Sequence, residues 1–230
     1  MLLLDGKNLA AKRRADLAEQ LKNELQPGQR RPGLEVVLVG EDPASTTYVR
    51  SKERAAERAG IAGKIHRMPA HSSEAELLTL IDRLNDDDRV DGILVQLPLP
   101  SHLNSTLILD RIDATKDVDG FHPINAGLLS QQRPRFVPCT PLGITVMLDH
   151  YGIDVRGKSA LVIGRSNIVG RPIAELLLQR DATVTIAHSR SQNIDELLAQ
   201  TDVVVTAVGR PDTVRAEQLK PGFVCIDVGI

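Results

Sequence analysis

Ser45, Tyr48 and Lys52 are spaced by three and four residues, so a helix beginning near Pro43 would align them on one face. If that face lines a cleft, it offers an amine that can move protons and a ring that can stack on a flat ligand. A lone lysine is more often solvated surface, and Tyr48 by itself also reads as ordinary half-buried packing. Gln96 ends a strand-like run before Leu97-Pro98-Leu99-Pro100. Parallel α/β sheets hold ligands at such strand ends, though a polar strand cap is the plainer reading. Asp119 lies in Asp117-Val118-Asp119-Gly120-Phe121, which is a plain turn. A buried carboxylate there would instead suit a ring's adjacent amino and imino donors.

A second constellation starts with the apolar run Leu161-Val162-Ile163, continues into the turn Gly164-Arg165-Ser166, and enters a helix near Gly170 and Pro172. Such a helix start offers N–H groups and a positive dipole end to a phosphate. Ser166 replaces the middle glycine of the G-x-G-x-x-G pattern, and no Gly-Lys-Ser/Thr follows to make a P-loop. Alone, the turn fits dinucleotide binding and a structural strand-to-helix turn equally well. The next strand ends His188-Ser189-Arg190, where an NAD site would place a carboxylate about 20 residues beyond the first glycine. A hydroxyl and a guanidinium there, with Arg165 in the turn, suit a 2′-phosphate, so NADP is preferred over NAD. Seen alone, Ser189 and Arg190 are also a solvated loop.

Two α/β layers are needed to position these residues. Strand-like runs at 34–39, 64–68 and 92–95 alternate with helical patterns at 43–59 and 73–84, the βαβ order of a parallel sheet. Leu9, Leu17, Leu21 and Leu25 predict an amphipathic helix over 8–25 packed on that sheet. From 98 to 141, prolines, glycines and polar residues replace any clear period, which suggests a long functional loop region. A helix over 140–151 leads to strands at 159–164, 183–188, 203–208 and 223–228, with helices at 169–179 and 194–199 between them. The expected fold class is therefore α/β with two domains and a cleft between them. An N-terminal α/β substrate domain covers 1–139, and a C-terminal Rossmann-like parallel sheet covers 140–230.

Composition narrows the partners. The 28 basic and 30 acidic residues leave a net charge of -2, which gathers neither nucleic acid nor an anionic membrane surface. Aromatics are 2% of the chain with no tryptophan, so a base-stacking platform is not expected. Leu2, Leu3 and Leu4 meet Asp5 and Lys7 at once, too soon for a signal peptide or a membrane span. Cys139 and Cys225 form no C-x-x-C, and the six histidines form no H-E-x-x-H, so neither a disulfide framework nor a metal is expected. The picture is a small-molecule enzyme of the reducing cytoplasm.

Tyr48-Val49-Arg50-Ser51-Lys52, Val95-Gln96-Leu97-Pro98-Leu99-Pro100, Lys116-Asp117-Val118-Asp119-Gly120, Pro138-Cys139-Thr140-Pro141 and the segment from Gly164 to Pro172 occur in this order along the chain. Together they resemble the bifunctional methylenetetrahydrofolate dehydrogenase/methenyltetrahydrofolate cyclohydrolase family over essentially the whole length. Each motif is weak alone, but five in order with compatible spacings are specific.

The resemblance implies that 5,10-methylenetetrahydrofolate gives a hydride to NADP. The resulting 5,10-methenyltetrahydrofolate is then hydrolysed in the same cleft to 10-formyltetrahydrofolate, a step of one-carbon metabolism and purine biosynthesis. It further implies Lys52 as the catalytic lysine, Gln96 as its hydrogen-bonding neighbour, Asp119 as the pterin-binding aspartate and Tyr48 as the stacking ring. Ser45 would support the same helix face. On the cofactor side Gly164, Arg165, Ser166 and Ser189 match family positions, and Ile230 matches one whose backbone meets the nicotinamide portion; Arg190 joins them from the 2′-phosphate argument. The family also implies a homodimer. It normally continues past Asp227-Val228-Gly229-Ile230 with a strand, a Pro-Gly-Gly-rich loop and a closing helix, which this sequence lacks, so the second sheet is expected to end on an open edge. Two other readings are a noncatalytic NADP-binding module and a dehydrogenase of another small substrate on a similar fold.

Overall fold

Val36, Val37, Leu38 and Val39 are all buried in strand β1 (Gly33–Val39), as expected of a strand covered on both faces. In the computed structural model, which describes residues 2–210 and 212–228, β1 is the centre of a three-stranded parallel sheet. Its neighbours are β2 (Ala62–Met68) and β3 (Gly92–Val95), in the order β2-β1-β3. Gly33 lies opposite Ala62 and Val39 opposite Met68, while Leu34 lies opposite Gly92 and Val37 opposite Val95. The strands therefore end along one edge, where Gln96 follows β3 and its backbone N–H bonds to the Val37 carbonyl at 2.9 Å.

Helix α2 (Pro43–Ala59) begins just after β1, with Asp42 as its cap and Pro43 in its first turn. Helix α3 (Glu74–Asn85) opens with a reciprocal capping box between Ser73 and Glu76. Leu77, Ile81 and Leu84 of α3 pack with Val37, Val39, Ile93 and Val95 on one sheet face. Val49 of α2 packs with Val36, Leu38 and Leu94 on the other. Burying each such aliphatic side chain contributes about 1.5–3 kcal/mol, and this packing fixes α2 and its polar face relative to the end of β3.

Three expectations need correction. Helix α1 (Gly6–Glu24) forms, but Leu9 is its only buried residue and Leu17 is 41% exposed. It packs chiefly beside α2 and not on the sheet, because α2 already covers that face. The stretch 98–141 is not irregular throughout, since it holds α4 (Ser105–Arg111) and α5 (Pro123–Ser130) before α6 (Cys139–His150). Helices of seven and eight residues are too short to show a period, although Asn104, which accepts from the N–H groups of Thr106 and Leu107, is a legible start signal for α4. Strand β6 (Val203–Thr206) also stops two residues before the expected 208.

The chain divides into compact units between Asn125 and Ala126, within α5. Leu129 of that helix belongs to the second core, with Ile144, Leu148, Ile173 and Leu177. The second sheet is parallel throughout, in the order β5-β4-β6-β7, with β4 (Ser159–Ile163), β5 (Thr183–Ala187) and β7 (Val224–Asp227) around β6. Helices α6 and α7 (Gly170–Leu178) pack with Val162 and Val205 on one face. Leu198 of α8 (Ile194–Gln200) packs with Leu161, Ile163 and Val204 on the other. Strands β5 and β7 form the edges.

Candidate active site

In the first unit, Lys52 and Gln96 meet. The Lys52 ammonium donates to Gln96 Oε1 at 3.1 Å, and Gln96 Nε2 donates to the Leu97 carbonyl at 2.6 Å. The amide is thereby oriented from both ends, so its oxygen faces the lysine. Lys52 also lines a cavity of about 50 Å³ with Leu34, Val36 and Ile65.

Asp119 is the third member. Burial pushes its pKa up to about 6, Lys52 pulls the other way, and the charge of Asp117 adds to the rise. Desolvated carboxylates without compensating donors cost stability, and they concentrate where a ligand supplies the missing partners. Tyr48, one turn before Lys52 on α2, is 47% exposed, so its ring is available and not packed in the core. Ser45 is buried, and its backbone N–H donates to Asp42 Oδ2 at 2.8 Å. It therefore serves the start of α2 and through it the placement of Tyr48 and Lys52. A larger cavity of about 500 Å³ is lined by Arg14, Arg50, Arg54 and Arg58 and by none of the candidate site residues.

In the second unit, Gly164 follows β4 with φ +124°, and a Cβ there would stand 2.6 Å from the Ala207 carbonyl oxygen. Only glycine fits. Gly170 is equally confined, since its Cβ would come 2.3 Å from the Gly164 carbonyl oxygen. The side chain at the usual middle-glycine position has a definite role: Ser166 Oγ accepts from the N–H groups of Val169 (3.1 Å) and Gly170 (3.3 Å), and its carbonyl accepts from Arg171. Ser166 thus caps the approach to α7, leaving the turn at 165–168 as the backbone that can face an anion. Arg165 and Ser166 are exposed.

Ser189 and Arg190 are exposed beyond β5. Two neighbours that the motifs did not single out hold them. His188 Nδ1 accepts the Arg190 N–H at 3.2 Å, the His188 carbonyl accepts the Ser191 N–H at 2.8 Å, and Ser191 Oγ accepts the His188 N–H at 2.9 Å. A His followed by three polar residues after a strand is the local signal for such a turn. Ile230 lies outside the described residues. Among the described residues, no helix is long and apolar enough to cross a membrane, and no cluster of three or more His, Cys, Asp or Glu could hold a metal ion.

The second unit thus belongs to the Rossmann-like class of dinucleotide-binding sheets, and the first carries a lysine, an amide and a carboxyl at the C-terminal ends of its strands. Models of two domains match the chain: the tetrahydrofolate dehydrogenase/cyclohydrolase catalytic domain over residues 4–119 and its NAD(P)-binding domain over 138–230. The chain belongs to the tetrahydrofolate dehydrogenase/cyclohydrolase family. It is 51% identical to the bifunctional protein FolD of Rhodopirellula baltica and 52% identical to that of Moorella thermoacetica, covering 99% of this chain and 81% of each relative. The crystal structure of the FolD methylenetetrahydrofolate dehydrogenase/cyclohydrolase from Campylobacter jejuni superposes with a TM-score of 0.96 at 46% identity, over 100% of this chain and 82% of that one. The Trypanosoma brucei enzyme, solved with NADP cofactor and inhibitor, superposes with a TM-score of 0.94 at 36% identity, covering 99% and 78%.

Proposed function

We propose that this protein oxidises 5,10-methylenetetrahydrofolate to 5,10-methenyltetrahydrofolate with NADP and then hydrolyses the product to 10-formyltetrahydrofolate. The observation that carries this reading is the Lys52–Gln96 contact beside the desolvated Asp119 carboxyl, on a chain whose second unit holds the glycine-confined turn. The same assembly of residues disfavours a noncatalytic nucleotide-binding module, which has no use for an oriented lysine.

The folate part is read as residues 1–139 and the NADP part as 140–230, although the compact division of the chain falls earlier, between Asn125 and Ala126. Tyr48 stacks on the folate rings, and Asp119 accepts paired hydrogen bonds from the pterin amino group and ring N–H. Folate oxidation is driven by the nitrogen lone pair next to the methylene carbon, so the protein has to orient the substrate and exclude water. NADP, when bound, takes the hydride. Hydrolysis then needs protons moved at the methenyl carbon and at the departing nitrogen, and Lys52, aligned by Gln96, moves them.

Asp119 makes folate binding pH-dependent. The ionised carboxylate accepts two donors and the protonated form only weakly, so affinity for a folate substrate analogue should rise with pH up to about 6 and level off above it. The gain below that point is up to about tenfold per pH unit. Calorimetric titration of the wild type and Asp119→Asn tests this: the variant should bind weakly with a flat profile. A wild-type profile from the variant overturns the assigned role.

Phosphate recognition falls to the turn at 165–168 with Arg165, and the 2′-phosphate to Ser189 and Arg190. Replacing Ser189 and Arg190 together by Ala should weaken NADP by about tenfold or more, the cost of lost charge-assisted bonds, and leave NAD nearly unchanged. Equal losses for both cofactors contradict the 2′-phosphate assignment.

The protein acts in the cytoplasm as a homodimer. Edge strand β5 supports the second point, because Ile186 on it is 41% exposed and Leu178 at the end of α7 is 57% exposed. Sedimentation velocity should give twice the chain mass of 25.1 kDa, and a monomer at micromolar concentration contradicts the assignment.

A further inference from the structure

Asp119 makes no hydrogen bond within the chain among the described residues, so its placement depends on the loop that carries it. That loop is tied down on both sides. Before it, the Lys116 ammonium donates to the carbonyls of Leu84, Asn85 and Asp87 at 3.2, 2.6 and 2.9 Å, where α3 ends. The Ile93 N–H of β3 donates to the Lys116 carbonyl at 2.7 Å, and Asp117 pairs with Ile93 as a parallel bridge.

The loop then closes on Asp117. The Asp117 carbonyl accepts the Gly120 N–H at 3.2 Å, and its Oδ2 accepts the His122 N–H at 2.8 Å. The same Oδ2 accepts from Asn125 Nδ2 at 2.9 Å, and Asn125 Nδ2 also donates to the Ala114 carbonyl at 2.8 Å. Asp117 is 1% exposed and Asn125 is 0% exposed, and Asn125 Oδ1 has no hydrogen-bond partner among the described residues. A buried carboxylate and a half-satisfied buried amide cost stability that apolar side chains would not. What this pair provides is geometric, since every bond it makes fixes the path of residues 114–122.

We propose that Asp117 and Asn125 are positioning residues that act through Asp119, a buried clamp that sets the carboxylate where the pterin donors meet it. This rests on the reading of Asp119 as the pterin-binding group. The charge of Asp117 also raises the proton affinity of Asp119, an electrostatic effect that opposes the geometric one at low pH, so the test is read above about pH 6, where Asp119 is ionised.

The test uses the full chain and five variants: Asp117→Ala, Asp117→Asn, Asn125→Ala, Asp119→Ala and the Asp117→Ala/Asp119→Ala double variant. KM and kcat for methylenetetrahydrofolate are measured together with NADP affinity. Asp117→Ala should raise the folate KM by about tenfold, with a smaller change in kcat and unchanged NADP affinity. Asp117→Asn, which keeps an acceptor for the His122 N–H, should recover most of the loss. The double variant should be no weaker than Asp119→Ala alone, because both substitutions remove one function.

Losses that multiply in the double variant overturn the clamp, as does a parallel fall in folate and NADP affinity, which marks a merely structural role. If Asp117→Ala does not fold, Asn125→Ala carries the same expectation. Weak folate binding by Asp119→Ala beside wild-type binding by Asp117→Ala and Asn125→Ala overturns the clamp alone. Wild-type binding by Asp119→Ala overturns the pterin reading and the clamp with it.

Discussion

Replacing Lys52 by Met lowers cyclohydrolase turnover by about 10²–10⁴-fold, the contribution expected of a positioned proton-transfer group, and spares much more of the hydride transfer. Methionine keeps a long unbranched stem and removes only the amine, so α2 and its packing should be unaffected. In the hydrolysis, water adds to the methenyl carbon and loses a proton, and the carbon–nitrogen bond then breaks as that nitrogen gains one. Both transfers need a group at one place, and Gln96 Oε1, 3.1 Å from Lys52 Nζ, holds the amine there. Hydride transfer needs no such group. The substitution also removes the cation that holds the Asp119 carboxyl down, so the midpoint of the folate-binding profile should move above about 6. Decay of the methenyl substrate measured with the isolated variant checks the first effect. Hydrolysis at the wild-type rate contradicts the role given to Lys52.

The second large effect is expected at Gly164. A Cβ there would meet the Ala207 carbonyl oxygen at 2.6 Å on a backbone with φ +124°. Neither side can give way easily: the Gly164 N–H donates to the Ala187 carbonyl at 2.8 Å, and the Ala207 N–H donates to the Ile163 carbonyl at 2.7 Å. Gly164→Ala should therefore cost about 1–3 kcal/mol of stability and displace the turn proposed to face the phosphates. NADP affinity should fall by about tenfold or more, the loss of at least one charge-assisted hydrogen bond. Folate-analogue binding by the first unit should persist. Thermal unfolding with NADP titration measures both effects, and an unchanged NADP affinity would mean that this turn is not the phosphate site.

Much of the architecture was legible because its signals are local. The apolar run of β1, Pro43 at the head of α2, and Ser73 with Glu76 at the head of α3 each announce an element by its own chemistry. The pairing of Lys52 with Gln96 was less local: it depends on a helix and a strand end 44 residues apart, and the family motifs supplied that link. The short helices α4 and α5 gave no period to read, and Leu17 on α1 looked like a core residue because a stripe of leucines cannot show which neighbour already occupies the sheet face. The supporting groups were the least legible. Asp117 and Asn125 are recognisable only by burial, and Ser166 appeared as an imperfect glycine position until its hydroxyl was found accepting the Val169 and Gly170 N–H groups. His188 likewise became informative only through its bond to the Arg190 N–H.

One chain is expected to perform oxidation and hydrolysis in succession, with NADP as the hydride acceptor. The most direct measurement is a single reaction of the wild-type protein with 5,10-methylenetetrahydrofolate and NADP, following reduced cofactor and folate products together. Reduced NADP should appear in step with folate consumed, with 10-formyltetrahydrofolate as the final product and NAD a poorer acceptor. No reduced cofactor, or reduced cofactor with methenyltetrahydrofolate decaying only at its uncatalysed rate, would contradict it.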